Sequence, residues 1–294
     1  MTDAALITAT PTAFDRTGAI DLASTVRIFE HAIGAGVDAI FVNGTTAEFA
    51  ALSVDERRTT LAEAVRVAGP QRVIAHVGAA SPYETRLLTD DALELGVERL
   101  SVLTPFYMPS SIDGVREQIQ AATSIAGDAE IFLYLFPDRT GIQVSPTDAA
   151  GLIDEYDLAG AKISIAGTDY LAGLVAALTS PRTVLSGNDG LLREVLAAGG
   201  DGIVSGVSSS FPAPFVALVE AVRAGDAARV DELAEVVNRI VPVIGPSIAG
   251  LKLSLQRQGV IDEAHCRMAI DAPDAALTER IDAVLAREAT PTFH

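Results

Sequence analysis

The feature that most constrains this chain is a regular alternation of short, β-rich runs with segments of helical period. The runs are LITATPTA (6–13), AIFVN (39–43), RVIAHVG (72–78), RLSVLTP (99–105), EIFLYLFP (130–137), LAGAKIS (158–164), RTVLSGN (182–188) and GIVSGVS (202–208). Runs that are apolar on both faces are typical of strands covered on both sides, as in parallel sheets. Eight strand-helix units within about 225 residues predict an α/β fold of the (β/α)8 TIM-barrel type. A doubly wound sheet is the alternative, but it rarely needs eight units in unbroken rhythm.

The β-rich runs stop after Gly225. Three later segments, 226–245, 248–259 and 274–288, have the period of amphipathic helices. We therefore predict a barrel over residues 1–225 and a C-terminal helical extension over residues 226–294. Because no low-complexity linker separates the two, we expect the extension to pack on the barrel or on a partner chain.

Composition and charge exclude several classes of function. The formal net charge of -18 opposes nucleic-acid binding, because no cluster of lysine and arginine is present to neutralise phosphates. No run of about 18 apolar residues occurs, which argues against a membrane span. The first residues lack the pattern of a signal peptide, and the single cysteine, Cys266, agrees with a reducing compartment. We therefore expect a cytoplasmic protein.

The motifs predict neither a metal site nor a nucleotide cofactor. The four histidines, His31, His76, His265 and His294, are scattered without the spacing of metal ligands, and no HExxH or CxxC pattern occurs. His76 lies inside the third run, where a buried structural histidine is more common than a catalytic one. Neither a P-loop nor a GxGxxG motif is present.

The position of Lys162 raises a chemical question. The chain has two lysines against 19 arginines, and Lys162 lies in an apolar run near the end of the sixth predicted strand. Removal from water favours the neutral amine, which is the nucleophile that forms a Schiff base with a ketone. Tyr134, in the neighbouring fifth strand, is a phenol that could carry protons. The alternative is that Lys162 extends to the barrel rim and pairs with an acid such as Asp189.

The segment NGTTAEF (43–49), directly after the second predicted strand, is a candidate anion site. We expect Gly44 to permit an unusual backbone geometry there. Consecutive backbone N–H groups, together with the hydroxyls of Thr45 and Thr46, would then form a cradle for a carboxylate. An ordinary strand-to-helix turn is the alternative.

Arg139, in FPDRTG after the fifth predicted strand, is a candidate for binding a second carboxylate. Its planar guanidinium can hold a carboxylate through two parallel hydrogen bonds. The alternative is a surface pair with Asp138 or another acid.

Taken together, the motifs resemble the dihydrodipicolinate synthase / N-acetylneuraminate lyase family. They are GTTAE after strand two, TPFYMP after strand four, YLFPDRTG at strand five, a lysine in strand six and GGDGIVSGVS at strand eight. The resemblance covers nearly the whole chain. It implies a TIM barrel with C-terminal helices, usually a homotetramer, and a class I mechanism through a lysine Schiff base with pyruvate or a related 2-oxo acid. No other cofactor is implied.

The resemblance also assigns roles to residues. Lys162 would form the Schiff base, and Tyr134 would be the general acid and base. Thr45 and Thr46 would hold the pyruvate carboxylate, and Thr45 would link Tyr134 to a proton relay. Tyr107 would complete that relay, in the site of a neighbouring subunit in synthase-like members.

Other positions bear on the substrate. Ile203 would offer its backbone carbonyl near the substrate, and Arg139 resembles the synthase position that binds a carboxylate of the aldehyde or product. Asp189 matches a substrate-binding acid of the lyase branch, although Gly190 replaces the glutamate that usually follows. Ala47 and Leu135 also depart from the family pattern, since they replace a glycine and an asparagine.

Three functions follow from this resemblance. The first is an aldolase that cleaves or forms a carbon–carbon bond between pyruvate and an aldehyde, on a 2-oxo-3-deoxy acid. The second is dihydrodipicolinate synthase itself, which condenses pyruvate with aspartate semialdehyde. The third is a dehydratase that works through the same Schiff base. A fourth hypothesis, from a different class, is a non-catalytic barrel that binds a 2-oxo acid, and the departures at Ala47 and Leu135 are its support.

Overall fold

A computed structural model describes residues 4–288 and has a closed barrel of eight parallel strands in sequence order. The strands are β1 (Ala5–Ala9), β2 (Ala39–Val42), β3 (Val73–His76), β4 (Arg99–Leu103), β5 (Glu130–Leu135), β6 (Gly160–Ile163), β7 (Thr183–Ser186) and β8 (Gly202–Ser205). Each lies within, or begins one residue before, the corresponding β-rich run, and β1 also pairs with β8 to close the barrel. The prediction of a (β/α)8 barrel is therefore confirmed.

Residues 4–288 contain twelve α-helices and four short 3-10 turns. The α-helices are α1 (Leu22–Gly34), α2 (Val54–Ala68), α3 (Pro82–Glu94), α4 (Ile112–Thr123), α5 (Pro137–Thr140), α6 (Pro146–Glu155), α7 (Asp169–Ala177), α8 (Leu192–Ala197), α9 (Pro212–Ala224), α10 (Ala227–Ile244), α11 (Ile248–Arg257) and α12 (Ala275–Glu288). The helix α2 begins at a capping box, in which Ser53 and Glu56 each bond the other's backbone N–H.

Alternate residues of each strand point to different apolar layers. Phe41, Tyr134 and Leu185 pack together inside the barrel. Leu133 and Ile203 belong instead to the larger core between the strands and the surrounding helices. This alternation follows from the two-residue period of a strand, and it gives the barrel a filled interior.

The pairing of β5 with β6 sets Tyr134 directly beside Lys162. Both residues lie in the carboxyl-terminal halves of their strands, and Ala161 and Ile163, on either side of Lys162, belong to the helix-facing core. Lys162 therefore points into the barrel, toward the end at which active sites of this fold are found.

The last three helices pack on the barrel, which is one of the two arrangements expected from the sequence. α10 contacts α9, and α11 and α12 pack against α10. The exact division at residue 225 stays a prediction, and residues 1–3 and 289–294, which include His294, lie outside the described part of the chain. Within the described part no single helix is long and apolar enough to cross a bilayer, while the bent pair of α10 and α11 meets that criterion by length and composition only.

Candidate active site

A cavity of about 650 Å³ opens at the carboxyl-terminal ends of the strands. Lys162 and Tyr134 from the barrel and Thr45 and Thr46 from the turn after β2 line it. The connection between α10 and α11 and the segment 268–270 form another wall. The C-terminal extension is thus part of the site.

The amine of Lys162 lies between two aromatic rings. The residue is 5% exposed, and its Nζ atom is 4.2 Å from the centroid of the Phe41 ring and 4.1 Å from that of Tyr134. Within residues 4–288 no carboxylate oxygen lies within 4.0 Å of this atom. The alternative, a pair with an acid such as Asp189, is therefore not formed, and the amine faces the cavity without a counter-ion.

The phenol of Tyr134 is held by its surroundings. The residue is buried, and its ring meets those of Phe41 and His76 edge to face at centroid distances of 5.9 and 5.8 Å. Its hydroxyl lies 3.2 Å from Oγ1 of Thr45, at hydrogen-bonding distance. The structure therefore brings together Lys162, Tyr134 and Thr45, as the sequence predicted.

The turn after β2 corrects the expectation for Gly44. Its φ is −86°, an ordinary value, whereas the left-handed residues are Asn43 (φ 59°) and Glu48 (φ 58°). Gly44 is needed for space, because a Cβ atom there would lie 2.6 Å from the ring of Phe41. A larger residue would push that ring, which is one of the two beside the amine of Lys162.

The same turn carries the candidate carboxylate cradle. Thr45 begins a short 3-10 turn that ends at Ala47, and the N–H groups of Ala47 and Glu48 bond Gly44 and Thr45 carbonyls at 3.0 Å. The first two N–H groups of such a turn, here those of Thr45 and Thr46, find no acceptor within it. They are therefore available to an anion in the cavity.

Asp189 lines the cavity but is committed to neighbours from the end of β8. Its Oδ1 atom accepts hydrogen bonds from the hydroxyl of Ser205 and, at 3.2 Å, from the N–H of Val207. Burial raises the pKa of Asp189, and these two hydrogen bonds oppose the rise. The carboxyl thus stabilises the loop after β8, and its role in binding substrate stays a prediction.

Arg139 also lines the cavity, at its outer part. Its guanidinium lies 5.8 Å from the centroid of the Phe136 ring. No acid of residues 4–288 comes within 4.0 Å of its nitrogen atoms, so the alternative of a pair with Asp138 is wrong. The guanidinium is free to bind an anion.

Three predicted site residues, Gly44, Tyr107 and Ile203, do not line the cavity. Tyr107 is 91% exposed and has a left-handed backbone, with φ 74°. The side chain of Ile203 is buried in the helix-facing core, and its neighbour Val204 reaches the cavity instead. The roles predicted for the Tyr107 hydroxyl and the Ile203 carbonyl stay predictions.

Sequence reasoning missed a second buried cation beside the site. Lys252 of α11 is fully buried and forms an ion pair with Glu48 of the GTTAE turn. The rarity of lysine in this chain was a signal for it, since it applied to both lysines equally. In the described chain no three side chains of His, Cys, Asp or Glu come together as a metal site.

The ring of His76 contacts Tyr134, and the side chain of Arg57 is buried beside His76. Nδ1 of His76 is 2.9 Å from the carbonyl oxygen of Asn43, so it donates and Nε2 is left without a partner in the described structure. Arg57 donates to the carbonyl of Gly78 at 2.9 Å and to that of His76. Burial and the charge of Arg57 hold the pKa of His76 well below its ordinary value, and burial lowers the pKa of Arg57 to about 9.

Comparisons with known proteins agree with this geometry. Residues 3–286 match the model of the dihydrodipicolinate synthetase family. A protein of Exiguobacterium sibiricum, named 4-hydroxy-tetrahydrodipicolinate synthase, is 32% identical over 275 residues, which are 88% of this chain and 94% of that protein. Its namesake from Xanthomonas campestris is 35% identical over 75% of this chain and 73% of its own length. A crystal structure from E. coli K12, a prophage protein of the dihydrodipicolinic acid synthase family in complex with pyruvate, has a TM-score of 0.89 and 25% identity over 98% of this chain and 99% of that one.

The depressed pKa of His76 predicts a loss of stability in mild acid. Below pH 6.5, the ordinary pKa of histidine, His76 binds a proton in the unfolded chain but not in the folded protein. The free energy of unfolding therefore falls by up to about 1.4 kcal/mol per pH unit. His31, whose pKa is also lowered by burial, acts with the same sign. His76→Asn keeps an N–H for the Asn43 carbonyl and removes the titration. The free energy of unfolding, measured with urea, should therefore fall less steeply between about pH 6.5 and 5.5 in this variant than in the wild type. An equal fall in both proteins would show that His76 protonates within the folded structure.

Proposed function

Because the chain belongs to the dihydrodipicolinate synthetase family, we propose that it is a lyase that makes or breaks a carbon–carbon bond through a Schiff base between Lys162 and pyruvate. The observation that carries the proposal is the amine of Lys162, buried without a carboxylate partner beside the Tyr134–Thr45 hydrogen bond. The pyruvate bound in the related E. coli K12 protein supports pyruvate as the 2-oxo acid.

The first step is capture of pyruvate. The carboxylate binds the N–H groups and hydroxyls of Thr45 and Thr46, which turns its ketone toward Lys162. The neutral amine adds to the ketone carbon to give a carbinolamine, and loss of water gives the Schiff base. The hydroxyl of Tyr134 lies where it can pass protons to and from these intermediates.

The second step forms the new bond. Tyr134, left as a phenolate once it has protonated the departing water, takes a proton from the methyl group of the Schiff base, and the resulting enamine carbon attacks the aldehyde. Tyr134 then gives its proton to the new alkoxide and regains one through Thr45, and hydrolysis of the Schiff base releases the product. In the cleavage direction the same groups act in reverse: Tyr134 removes the hydroxyl proton, the bond breaks, and an aldehyde leaves before hydrolysis releases pyruvate. No cofactor besides the lysine is part of this proposal.

Chemical trapping tests this proposal. Incubation with pyruvate and borohydride should reduce the Schiff base to a stable adduct, which intact-protein mass spectrometry detects in the wild type and not in Lys162→Ala. Tyr134→Phe should still form the adduct, but more slowly, by roughly 100-fold. Absence of an adduct despite saturable pyruvate binding would favour a non-catalytic barrel, which otherwise has no use for an unpaired buried amine.

Arg139 indicates which class of aldehyde the site accepts. An unpaired guanidinium at the outer part of the cavity favours a partner with an anionic group, which includes the acid tail of a 2-oxo-3-deoxy acid derived from an aldaric or uronic sugar. It equally fits aspartate semialdehyde, the substrate of the synthase alternative, and the names of the two relatives favour that alternative. Both candidates share one chemistry, pyruvate plus a carboxylated aldehyde.

Replacement of Arg139 separates the two halves of the reaction. Arg139→Ala should raise the KM for a carboxylated aldehyde by roughly 10- to 100-fold, because a charge-assisted hydrogen-bond pair is lost. Pyruvate capture, measured by borohydride trapping, should be unchanged. Arg66→Ala, which removes a surface arginine paired with Glu63, is the control. An equal rise for carboxylated and uncharged aldehydes would contradict the assignment.

We propose that the chain assembles as a homotetramer of two dimers, with Tyr107 of one copy completing the relay of the other. The exposure of Tyr107 on a strained backbone, beside Met108 at 67% exposure, supports a role outside its own chain. The cytoplasmic location is likewise a proposal, supported by the single cysteine, Cys266.

Mixed oligomers test the shared site. Tyr107→Ala and Lys162→Ala should each be nearly inactive alone. Co-expressed with different tags and purified as a mixed pair, they should regain about half of the wild-type activity per dimer, because one of the two sites then has both residues intact. A mixture of Tyr107→Ala with the double variant Tyr107→Ala/Lys162→Ala has no intact site and is the control. No recovery in a verified mixed pair would place Tyr107 outside the partner's site.

A further inference from the structure

The second lysine of the chain poses a separate problem. The side chains of Lys252 and Glu48 are both 0% exposed and form an ion pair. Nζ of Lys252 also donates to the carbonyl of His265 at 3.0 Å and lies 4.3 Å from the centroid of the Phe14 ring. Burial lowers the pKa of Lys252, and the charge of Glu48 opposes this effect. A buried ion pair often adds no more stability than two well-packed apolar side chains, so stability alone does not explain it.

The carboxylate of Glu48 joins three separate parts of the chain. Its residue ends the turn that carries Thr45 and Thr46, and its N–H bonds the carbonyl of Thr45 at 3.0 Å. One carboxylate oxygen accepts from Lys252 of α11, and the other accepts from the N–H of Met268 at 2.6 Å. The turn, α11 and the segment after residue 265 therefore meet at one charged group.

Each of these three parts lines the active-site cavity. The turn supplies Thr45 and Thr46, α11 supplies Ile248 and Leu251, and the third part supplies the wall 268–270. The bonds that Glu48 makes thus connect the carboxylate cradle to this wall. An error of about 1 Å in such a separation can reduce a reaction rate by roughly 100-fold.

The residue next to Met268 fastens the same segment independently. Arg267 binds both carboxylate oxygens of Glu56, at 2.7 and 2.9 Å, and donates to the carbonyl of Gly18 at 2.7 Å. Arg267 thus holds the segment to the barrel at α2, while Glu48 connects Met268 to the turn.

We propose that the side chain of Glu48, which accepts a hydrogen bond from the N–H of Met268 and has Lys252 as its counter-ion, positions the carboxylate cradle at Thr45 and Thr46 relative to the wall 268–270. Glu48 does not touch the reacting atoms and acts through the backbone of the turn. The inference rests on the proposed function, since it names what the cradle binds as the pyruvate carboxylate.

Three variants separate alignment from folding. Lys252→Met leaves the Glu48 charge buried without a counter-ion and should lower the melting temperature by roughly 10 °C. Glu48→Met/Lys252→Met removes both charges and packs two flexible apolar side chains, so its melting temperature should return to near the wild-type value. Glu48→Gln/Lys252→Met also removes both charges but keeps an acceptor for the N–H of Met268.

The readout is the rate of the borohydride-trapped adduct as a function of pyruvate concentration. In Glu48→Met/Lys252→Met the pyruvate concentration for half-maximal rate should rise roughly 10-fold or more, while the maximal rate changes little, because Lys162 and Tyr134 are untouched. Glu48→Gln/Lys252→Met should stay within about 3-fold of the wild type. Arg239→Met/Glu288→Met, which removes a partly buried ion pair between α10 and α12, is the matched control and should leave pyruvate capture unchanged.

Hydrogen exchange separates failure of the inference from failure of the proposed function. Peptides covering residues 44–49 and 265–270 should exchange faster in Glu48→Met/Lys252→Met than in Glu48→Gln/Lys252→Met, whether or not pyruvate forms an adduct. If the wild type forms no adduct, the proposed function fails, and the exchange data alone decide on the alignment. If both double variants fold and match the wild type in pyruvate capture and in exchange, Glu48 is not a positioning residue.

Discussion

An amine held out of water between two aromatic rings is the constraint on which the rest of this site depends. An isolated ammonium in such a place costs several kcal/mol, and each ring face returns only about 0.5–2 kcal/mol. A local element could not hold Lys162 there. The closed barrel does so because β2, β5 and β6 supply Phe41, Tyr134 and the lysine from one continuous, packed interior. The same strand register places the phenol beside the amine, so one packed interior holds both groups of the proposed Schiff-base chemistry.

Three buried cations near the site show how partners determine what a charge can do. Arg57 is bonded to backbone carbonyls and supports the end of β3, and Lys252 is paired with Glu48. Lys162 alone of these three has neither an oxygen acceptor nor a carboxylate within reach in the described chain. Satisfied cations hold structure, because moving them would leave a buried charge unpaired. The amine without such partners is the one that can bond to a substrate carbon without first breaking an ion pair.

Sequence reasoning located much of the site but explained some of it incorrectly. Strand order was enough to bring Tyr134 beside Lys162, and the position of Thr45 after the second strand brought it to the same end of the barrel. Gly44 was identified for its backbone freedom, whereas the structure needs it because the ring of Phe41 fills the space of a Cβ atom. Asp189 was a plausible partner for Lys162, but Ser205 and Val207 hold its carboxylate. In each case the missing fact was a tertiary contact that periodicity does not encode.

The sequence by itself determined the eight strands, the helices between and after them, and the strand in which Lys162 lies, because hydrophobic period and helix caps act over a few neighbouring residues. The family motifs along the chain further indicated a Schiff-base enzyme. Only the tertiary structure decided which of the two lysines is unpaired, and that Glu48 joins the cradle to the C-terminal helices. Glu48 and Lys252 are separated by 204 residues along the chain, and their contact exists only once the barrel has closed and α11 has packed upon it. Partners of buried charges are chosen by such long-range packing, which local patterns cannot specify.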